Sequence, residues 1–591
     1  MITKYLNYDF VVVGGGFAGV CTAIAAARHG VKTALVQDRS MLGGNASSEM
    51  RVHVNGAGRD GGFKNAIESG IVMEILLANK KVNPQHSYHV FDNVVWEKAN
   101  FQENLDVYLN TSMREVEMDG SKIAKITAYQ SMTETKFVFS AKYFSDNTGD
   151  ATLSYLAGAD YTIGHEAKST YNESLAPDEA NEFVMGSSVL FSMKDMGKPT
   201  PFKRPDWAYK YTKEMRGKRA IPELTHGYWW VELDGEIEKS QYIRDELVKY
   251  AYGVFDYIKN SGEFPESENL VLDWISSIAG KRESRRVYGD YVLNQNDIDE
   301  SKRFENAVAY GGWTMDDHTV GGITATADPQ NHGTIWHEMK DIYTIPYTCI
   351  YSRNVDNLFI GGRAISASHM ALSSTRVMGT CSVLGQAAGT AVSIALRENI
   401  TPREVSKHIK ELQQTLIKDD CYIPGIAADD KLDLVTNLDC KITASSETEK
   451  GKATNINGDY ARRVDEVENA WISETLSENG EYIKVEFPKS VELSQLILRF
   501  DPNFSNTTII TQSWRKKEAQ APEMPYEMVR DYSIIFENDG KTVKTMDVDD
   551  NFQRVNKFDF DKKVVCDSMK ILVKTTYGDK HARIFDIRAY E

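Results

Sequence analysis

The sequence has few cysteines, no long apolar run and no excess of basic residues. Its six cysteines are scattered through 591 residues, and none stands at the spacing of a CxxC motif or a zinc-ligand pair. Cysteines this sparse indicate a reducing compartment rather than a disulfide framework. No run of about 18 uncharged apolar residues occurs, so we predict no membrane span. With 85 acidic against 68 basic residues, a nucleic-acid-binding face is not expected.

The N-terminal residues lead directly into an apolar strand pattern, without the apolar leader and cleavage site of a secreted protein. Together with the sparse cysteines, this predicts a cytoplasmic protein. The net charge of −17 also argues against binding to an anionic membrane surface. We therefore expect a small-molecule partner rather than a nucleic acid or a membrane.

Strand and helix patterns alternate near the N-terminus and again after Asn357. The continuous apolar run at residues 10–13 predicts a strand buried on both faces, and an Ala-rich helix and a second strand follow it. The stretch between the two alternating regions is rich in aromatic and charged residues. These patterns predict an α/β domain made of residues 1–154 and 346–420, with an inserted α+β substrate or cap domain at residues 155–345.

From residue 438 onward, alternating strand-like segments replace the helical periodicity. This pattern predicts an all-β sandwich over residues 438–591. The charged, proline-containing stretch at residues 512–527 predicts a long loop within it. Because domains usually join at exposed segments that few contacts cross, we expect the sandwich to fold on its own.

A glycine-rich turn with the sequence GGGFAG follows the first predicted strand and opens a helix. It matches GxGxxG in the context that dinucleotide binding requires. Gly14 permits the tight turn, Gly16 lets the backbone approach a pyrophosphate, and Gly19 lets the helix pack against the sheet. The N–H groups of Phe17 and Ala18, at the start of the helix, would face the diphosphate. The motif predicts a Rossmann-type nucleotide-binding domain.

The residue that binds the ribose hydroxyls is expected at the end of the second strand. The sequence there reads Val-Gln-Asp-Arg, so Gln37 stands in register at the position of the usual acid and Asp38 comes one residue late. A glutamine can hydrogen-bond a diol, although without charge assistance. Gln37 and Asp38 are therefore both candidates for the ribose contact.

Four separated motifs resemble those of FAD-dependent oxidoreductases with the glutathione-reductase type of fold. Besides the glycine turn they are GGNAS at residues 43–47, GKRESRR at 280–286, and GRAISASH at 362–369 with Arg-Val-Met shortly behind it. The resemblance extends over about residues 8–420, and it is closest to a bacterial family named FAD-dependent oxidoreductase. It implies that the chain binds FAD. Nothing around His53 specifies covalent attachment of the flavin, so we expect non-covalent binding.

The resemblance also implies which residues contact FAD. In that group a Gly-Gly pair after the second strand lies against the cofactor, a turn resembling residues 147–150 follows a core strand, and a late strand resembling residues 357–363 meets the ribityl chain. With the residues predicted above, the expected contacts are Gly14, Gly16, Phe17, Ala18, Gly19, Gln37, Asp38, Arg39, Gly43, Gly44, Asn45, Thr148, Gly149, Asp150, Gly362, Arg363, Arg376 and Met378.

Beside a flavin, the protein supplies position, charge and a proton acceptor. His369 lies on the turn that enters the last flavin-side segment, and it could act as a general base. The alternative is a structural histidine that bonds to the backbone.

Further candidates lie in the middle of the chain. Arg282 and Arg285 could hold an anionic substrate or polarise a carbonyl, unless they form a solvated or salt-bridged helix face. His318, oriented by a neighbouring aspartate, could take part in catalysis or lie on a surface loop. The aspartates and histidines of this region lack metal-ligand spacing, so we predict no catalytic metal.

The C-terminal segment resembles discoidin-like, or coagulation factor type C, modules of the galactose-binding kind. The resemblance rests on KITAS near its start, on Trp471 after a loop and on the closing ARIFDIRAY. Such modules often bind sugars in bacterial proteins and elsewhere are purely structural, and both roles stay open here.

Together these observations predict an FAD-dependent oxidoreductase that acts on a small polar organic substrate, such as a sugar or sugar derivative. The alternative is a carbohydrate-binding or carbohydrate-processing protein in which FAD is structural or supports a non-redox elimination or hydrolysis. No pair of glycosidase-like carboxylates can be assigned in the sequence, which counts against that alternative.

Overall fold

A computed structural model describes residues 2–58, 62–325 and 332–591. The chain forms two compact units, and each unit draws on separated stretches of sequence. The first unit consists of Met1–Ala57, His86–Leu412 and Ile510–Lys517, and the second of Gly58–Gln85, Gln413–Ile509 and Glu518–Glu591. The predicted inserted domain therefore shares one compact unit with the predicted α/β domain. The strip Gly58–Gln85, predicted within the α/β domain, belongs instead to the second unit.

The helices and strands follow one another in chain order. In the first part of the chain they are β1 Ile2–Val13, α1 Phe17–Arg28, β2 Thr33–Val36, α2 Ile71–Val82, α3 Tyr88–Asn100, β3 Leu105–Tyr108, β4 Thr111–Asp119, β5 Lys122–Gln130, β6 Thr135–Asp146, α4 Thr152–Leu156, β7 Tyr161–Thr162, α5 Lys168–Tyr171, β8 Ser187–Ser188, β9 Phe191–Asp195, α6 Lys213–Arg216, β10 Glu232–Leu233, α7 Ser240–Asn260 and β11 Leu270–Ile275. They continue with β12 Arg286–Val287, α8 Gln295–Asp299, β13 Ala307–Gly311, β14 Met315–His318, β15 Thr334–His337, β16 Tyr343–Pro346, β17 Leu358–Ile360, α9 His369–Thr375, α10 Met378–Glu398 and α11 Ile409–Lys418. The C-terminal part contains α12 Leu434–Asn437, β18 Lys441–Ala444, β19 Trp471–Thr475, β20 Glu481–Phe500, α13 Trp514–Glu518, β21 Val529–Asn538, β22 Lys541–Val548, β23 Val555–Thr576 and β24 His581–Tyr590.

A seven-stranded mixed sheet forms the centre of the first unit. Its order is β3-β2-β1-β6-β5-β4, and β17 lies beside the end of β6. Strands β3, β2, β1, β6 and β17 are parallel, whereas β4 and β5 form an antiparallel extension. Phe10, Val11 and Val12 of β1 are fully buried, as the apolar run predicted. The predicted Rossmann-type α/β layer is thus confirmed.

Helices α1 and α10 pack closely against each other beside this sheet. A Cβ atom on Gly385 would lie 2.2 Å from the Ala18 carbonyl oxygen, and one on Gly389 would lie 2.1 Å from that of Thr22. Glycine at both positions therefore sets the distance between the helices. By length and a mean hydropathy of 1.2, α10 could cross a membrane, but 89% of its most apolar window is buried in the protein. A core helix has the same properties, so this is weak evidence for a membrane span.

The region predicted as an inserted domain has mixed α+β structure, as expected. Short two-stranded sheets pair β8 with β10, β9 with β11, and β14 with β15. Beside them α7 buries one face in an aromatic-rich core that includes Phe191, Tyr228, Trp230 and Phe255. Strand β14, paired with β15, carries three consecutive polar residues, at positions 316–318.

The second unit contains the predicted all-β sandwich. Its sheet has the order β19-β24-β20-β23-β21-β22, with β18 paired to β20, and all of its pairings are antiparallel. Its longest strands are β20, Glu481–Phe500, and β23, Val555–Thr576. The stretch predicted as a long loop contains the short helix α13 and no strand among its residues, all of which the structure describes.

The core of the second unit extends beyond residues 438–591. Ile67, Met73 and Leu77, in and before α2, pack in the same hydrophobic cluster as the fully buried Trp471. Arg462 donates hydrogen bonds to the Ile67 carbonyl at 3.0 Å and to Ser69 Oγ at 2.7 Å. Residues from the N-terminal part of the chain therefore complete the core of the sandwich unit.

Candidate active site

The glycine-rich turn after β1 has the geometry of a dinucleotide cradle. Gly14 has φ +103°, and a Cβ atom there would lie 2.2 Å from the Asn147 carbonyl oxygen. A Cβ atom on Gly19 would lie 1.8 Å from the Gly14 carbonyl oxygen, so neither position accepts a side chain. At Gly16, by contrast, a Cβ atom would meet no described atom within 4 Å. The turn is thus packed on its protein side and open where the sequence predicts the pyrophosphate.

The start of α1 supplies donors for an anionic ligand. Its N-cap residue, Gly16, offers no side-chain cap to the first-turn N–H groups of Phe17 and Ala18 within the part of the chain described. Gly43 donates to the Gly15 carbonyl at 2.8 Å, which brings the Gly43-Gly44 pair against the turn, as the resemblance implied. An open glycine cradle at a helix N-terminus is the arrangement that binds a diphosphate. The residues present therefore fit the pyrophosphate of FAD.

At the end of β2 the Gln37 side chain has backbone partners within the protein. Gln37 Oε1 accepts a hydrogen bond from the Gly15 N–H at 2.7 Å, and its Nε2 donates to the Met41 carbonyl at 3.2 Å. The buried amide thus holds the glycine turn in place, and its acceptor oxygen is already engaged. Asp38 is exposed, which favours Asp38 for the ribose. The neighbouring Arg39 lies 3.6 Å from Glu49 in an ion pair.

Several predicted cofactor residues converge on Asp150. Its carboxylate pairs with Arg363 at 3.0 Å and with Lys281 at 2.5 Å. Burial opposes the ionised form, but the two cations hold the pKa of Asp150 below its usual value. Asn45 Nδ2 donates to the Lys281 carbonyl at 3.1 Å, which joins the GGN motif to the same point. Lys281 was not among the site residues predicted from the sequence.

Two other predicted residues have clear local roles. Thr148 Oγ1 donates to Asp146 Oδ1 at 2.7 Å and accepts from the Thr152 N–H at 2.8 Å, so it stabilises the turn after β6. Gly149 has φ +77°, and a Cβ atom there would lie 2.8 Å from Arg363 Nη2. Gly362 likewise has a positive φ, +70°. Glycine in this turn therefore leaves room for the Arg363 guanidinium, and Met378 begins α10.

His369 lies at the centre of a buried ionic network. Its Nδ1 lies 2.9 Å from Glu283 Oε2, and its Nε2 lies 3.2 Å from Asp317 Oδ1. Burial disfavours a charged imidazole, but Glu283 and Asp317 outweigh this and raise the pKa of His369 to about 9. Both ring nitrogens face carboxylates, so neither is available to take a proton from a substrate. The predicted role of His369 as a general base is therefore not supported by this geometry.

Arg286 anchors the same network from the other side. Its guanidinium pairs with Glu283 and lies 2.6 Å from Glu166 Oε1, while its Nε donates to the Ala367 carbonyl at 2.9 Å. Glu166 in turn accepts the His369 backbone N–H at 2.9 Å. Burial acts to lower the pKa of Arg286, but Glu283 and Glu166 outweigh burial and raise the pKa above its usual value. The ion pairs therefore stay charged.

A second buried network lies on the other face of β14. Arg282 pairs with Glu232 at 2.9 Å, and Glu232 lies 2.8 Å from His318 Nδ1. His318 Nε2 lies 3.5 Å from Asp316, which also pairs with Arg376 at 3.1 Å. Because side chains alternate along a strand, Asp316 and His318 share this network while the residue between them points to His369. His318 is buried, so the surface-loop alternative does not hold.

Arg285 lies outside both networks. Its guanidinium donates to the Asp150 carbonyl at 3.1 Å and lies 4.1 Å from the centre of the Tyr155 ring. Among the residues that the structure describes, it forms no ion pair with the carboxylates around His369 or His318. Its contacts thus separate it from Arg282, and its predicted part in catalysis stays a prediction.

The distant segment Ile510–Lys517 contributes to the first unit. Thr511 Oγ1 lies 2.9 Å from His53 Nε2, and Ser513 Oγ donates to Glu223. His53 stacks on His226 with ring centroids 5.2 Å apart. Burial is the main reason that the pKa of His226 falls to about 4, and the nearby Lys516 lowers it further. His53 is thus part of a neutral histidine pair.

The site residues that the sequence analysis missed are mainly buried acids. Glu283 lies inside the GKRESRR motif, where its arginine neighbours were the predicted site residues. His165, Glu166 and Glu232 carry no local pattern at all, because loops bring them in from distant parts of the chain. The Asp316-Asp317-His318 run was the one usable signal, since alternation along a strand sends its residues to opposite faces.

Solved structures with some likeness to this chain match its C-terminal region. The family 32 carbohydrate-binding module of Clostridium perfringens NanJ, solved with galactose, is 16% identical, covers 27% of this chain and 98% of its own, and has a TM-score of 0.20. The corresponding module of Streptococcus pneumoniae EndoD is 15% identical over 27% and 99%, with a TM-score of 0.21. Scores this low carry no argument, and the sandwich is assigned from its own strand order.

A protein family gives a much more extensive match. The model of the family described as FAD dependent oxidoreductase matches residues 9–416. That span contains the glycine cradle, the residues around Asp150 and both ionic networks. This chain therefore belongs to the FAD dependent oxidoreductase family, and its cofactor is FAD.

Proposed function

We propose that this protein oxidises or reduces a small polar organic substrate, a sugar or a sugar derivative, with FAD as the redox cofactor. When bound, FAD supplies the redox chemistry, because its ring system accepts or donates the electron pair. The polypeptide holds the substrate, excludes water and stabilises charge.

One observation carries this proposal: a single short segment connects the cofactor residues to both buried networks. Lys281 binds Asp150, next in sequence Arg282 binds Glu232, and Glu283 then binds His369. Because consecutive residues are only 3.8 Å apart at their Cα atoms, the ionic networks begin within a few residues of the predicted flavin contacts. Buried ionisable groups are enriched at functional sites, so these charges beside a cofactor cradle favour a catalytic role.

The unsatisfied polar atoms of this region favour an oxygen-rich substrate. Ser284 Oγ, Arg363 Nε and Arg376 Nε are buried and have no hydrogen-bond partner among the residues that the structure describes. Buried polar groups without partners are costly, and a ligand can satisfy them. Arg363 pairs with Asp150, Arg376 pairs with Asp316, and Ser284 follows Glu283 in sequence. Donors at these positions match the hydroxyl, carbonyl or carboxylate oxygens of a sugar derivative.

Arg282 is the residue that we expect to act on the substrate. Its guanidinium is buried and is held by Glu232 and by the carbonyl of Gly186 at 2.8 Å. Burial lowers its pKa, and Glu232 partly restores it, so the group remains a cation. A fixed cation of this kind stabilises negative charge that develops on a substrate oxygen.

Rapid mixing of the FAD-loaded protein with sugars, sugar alcohols and sugar acids under anaerobic conditions tests the proposal. We expect one class to bleach the flavin absorbance. Arg282→Ala should slow this reduction by about 10²–10³-fold, the usual cost of one preorganised electrostatic contact. Arg285→Ala is the matched control and should reduce at nearly the wild-type rate. Conversion of a sugar without any flavin bleaching would instead support a non-redox reaction.

A further inference from the structure

Three side chains from distant parts of the sequence converge near the end of β14. His165 precedes α5, Asp317 lies on β14, and His369 begins α9. One ligand atom from each lies within 4.8 Å of the other two. His369 Nε2 is 3.2 Å from Asp317 Oδ1, and His165 Nε2 is 3.9 Å from Asp317 Oδ2. Ligand atoms that bind one metal ion at about 2.0–2.2 Å in tetrahedral geometry lie about 3.4 Å from one another. The distances between these side chains are close to that value.

Both imidazole rings are held in place by contacts to their Nδ1 atoms. His369 Nδ1 is held by Glu283, and His165 Nδ1 lies 3.1 Å from Asn181 Oδ1 and 3.0 Å from the Phe183 carbonyl. Each ring therefore directs its Nε2 toward Asp317. Metal-binding histidines characteristically have their second ring nitrogen bonded to a carboxylate or a carbonyl. These outer contacts are an observation independent of the convergence of the three ligand atoms.

The surroundings carry an excess of negative charge. The carboxylates of Glu166, Glu173, Glu283 and Asp317 lie around the two rings, and the first three are buried. Among the described partners of these four groups, Arg286 is the one permanently charged cation. Even when the His369 imidazole is counted as a second cation, the four carboxylates keep an excess of negative charge, and burying it is unfavourable unless further positive charge is present. A divalent cation would supply that charge.

One ligand of the cluster is buried, and the other two are partly exposed to solvent. His369 is 1% exposed at its side chain, whereas Asp317 is 19% and His165 is 12% exposed. Three protein ligands leave at least one coordination position for water or a substrate oxygen. A metal ion held here could therefore contact a small molecule from solvent.

We propose that His165, Asp317 and His369 bind a divalent first-row transition-metal ion such as Zn²⁺ or Fe²⁺. Two imidazole nitrogens and one carboxylate suit these ions, whereas Mg²⁺ and Ca²⁺ take oxygen ligands. The site presents the ion to a hydroxyl, carbonyl or carboxylate oxygen. Metal binding can be measured without substrate turnover, so this proposal can be tested separately from the redox function. The sequence-based prediction of no metal concerned the histidines near His318, and not His165 or His369.

The test uses tag-free, FAD-loaded protein that has been treated with a chelator and then titrated with ZnCl₂ in a calorimeter. We expect one Zn²⁺ per chain. Asn181→Ala, which removes only an outer contact, should weaken binding by about 10–100-fold, and His165→Ala and Asp317→Asn should each weaken it more than that. CaCl₂ should give no comparable binding. FAD content and thermal unfolding of each variant show that it is folded.

His337→Ala is the matched control. This histidine also pairs with a carboxylate, Asp299, at 2.8 Å, but it is about one-third exposed and belongs to no described cluster of three ligands. Its variant should bind Zn²⁺ like the wild type. Failure of the wild type to bind Zn²⁺, or equal binding by folded Asp317→Asn and wild type, would overturn the proposal. X-ray absorption at the zinc edge should show imidazole nitrogens, and a shell of oxygen alone would also overturn it.

Discussion

At the residue scale, His369 shows how the surroundings of a side chain decide its role. The sequence placed it on a turn near the flavin, where an imidazole could accept a proton. The structure instead encloses it between Glu283 and Asp317, with its backbone N–H bonded to Glu166. In the ionic network its ring holds these carboxylates in place, and its Nε2 faces Asp317, with which it shares the proposed metal site.

His369→Asn should therefore act mainly on stability. Removing one partner from a buried ionic network costs about 3–5 kcal/mol, because the remaining charges are left without compensation. We expect a lower unfolding temperature and a parallel loss of FAD occupancy. A thermal melt with FAD quantification checks this. A variant of normal stability and full occupancy whose flavin is reduced about 10²–10⁴-fold more slowly would restore the general-base interpretation.

Asp501, in the second unit, is a buried carboxyl whose effect depends on pH. Burial raises its pKa to about 6, although Arg583 and the Asn503 N–H act in the opposite direction. The folded pKa lies above the unfolded value of about 3.9, so the contribution of Asp501 to stability is full below that value and is lost as the pH rises through 6.

Asp501→Asn should remove this pH dependence. The amide cannot ionise, so the variant should match the wild type near pH 4 and exceed it by up to about 3 kcal/mol at pH 7, by the conversion of about 1.4 kcal/mol per pKa unit. Urea unfolding of both proteins at the two pH values measures the difference. A difference that does not change with pH would contradict this account.

At the element scale, the turn between β1 and α1 offers a clean pair of substitutions. Gly16 has φ −64°, and a Cβ atom there meets nothing among the described residues. Gly16→Val should therefore fold normally and yet exclude FAD, because its side chain occupies the space of the pyrophosphate. Gly19→Val should lose stability and FAD together, since its Cβ would overlap the Gly14 carbonyl. FAD content and melting temperature distinguish the two, and normal FAD binding by Gly16→Val would place the cofactor elsewhere.

Much of the fold at this scale follows from local sequence. The GGGFAG turn, the apolar run at residues 10–13 and the alternating strands after residue 438 each depend on neighbouring residues, and the structure has them as predicted. The networks could not be found in this way. His165 and Asp317 are brought together by loops and a hairpin, and no local pattern encodes a contact between distant positions. The hydrogen bond from the Gly15 N–H to Gln37 likewise becomes visible only in three dimensions.

At the scale of the whole molecule, the chain crosses between its two units more often than composition suggested. Helix α2 completes the core of the second unit, whereas Ile510–Lys517 supplies Thr511 and Ser513 to the first. Composition marks where strand patterns begin, but it does not show which distant segment covers an apolar face. Independent folding of residues 438–591, expected from sequence, is therefore no longer the favoured outcome.

Truncation at about residue 430 tests this view. The shortened protein would expose Ile67, Met73 and Leu77 and would leave His53 without Thr511. Uncovering three core side chains costs about 1.5–3 kcal/mol each, so we expect an insoluble or unstable product. Expression and size-exclusion chromatography provide the measurement. A soluble, monodisperse, FAD-loaded fragment would show that the sandwich is an independent domain after all.

The central claim is that this protein moves an electron pair between a polar organic substrate and FAD. The most direct measurement is an anaerobic titration of the FAD-loaded protein with the active sugar derivative, following flavin absorbance and product together. The account predicts one substrate molecule oxidised for each FAD reduced. For a reductase it predicts one substrate molecule reduced for each reduced FAD that is reoxidised. Product that accumulates while the flavin stays oxidised, over many turnovers without any acceptor, would contradict it.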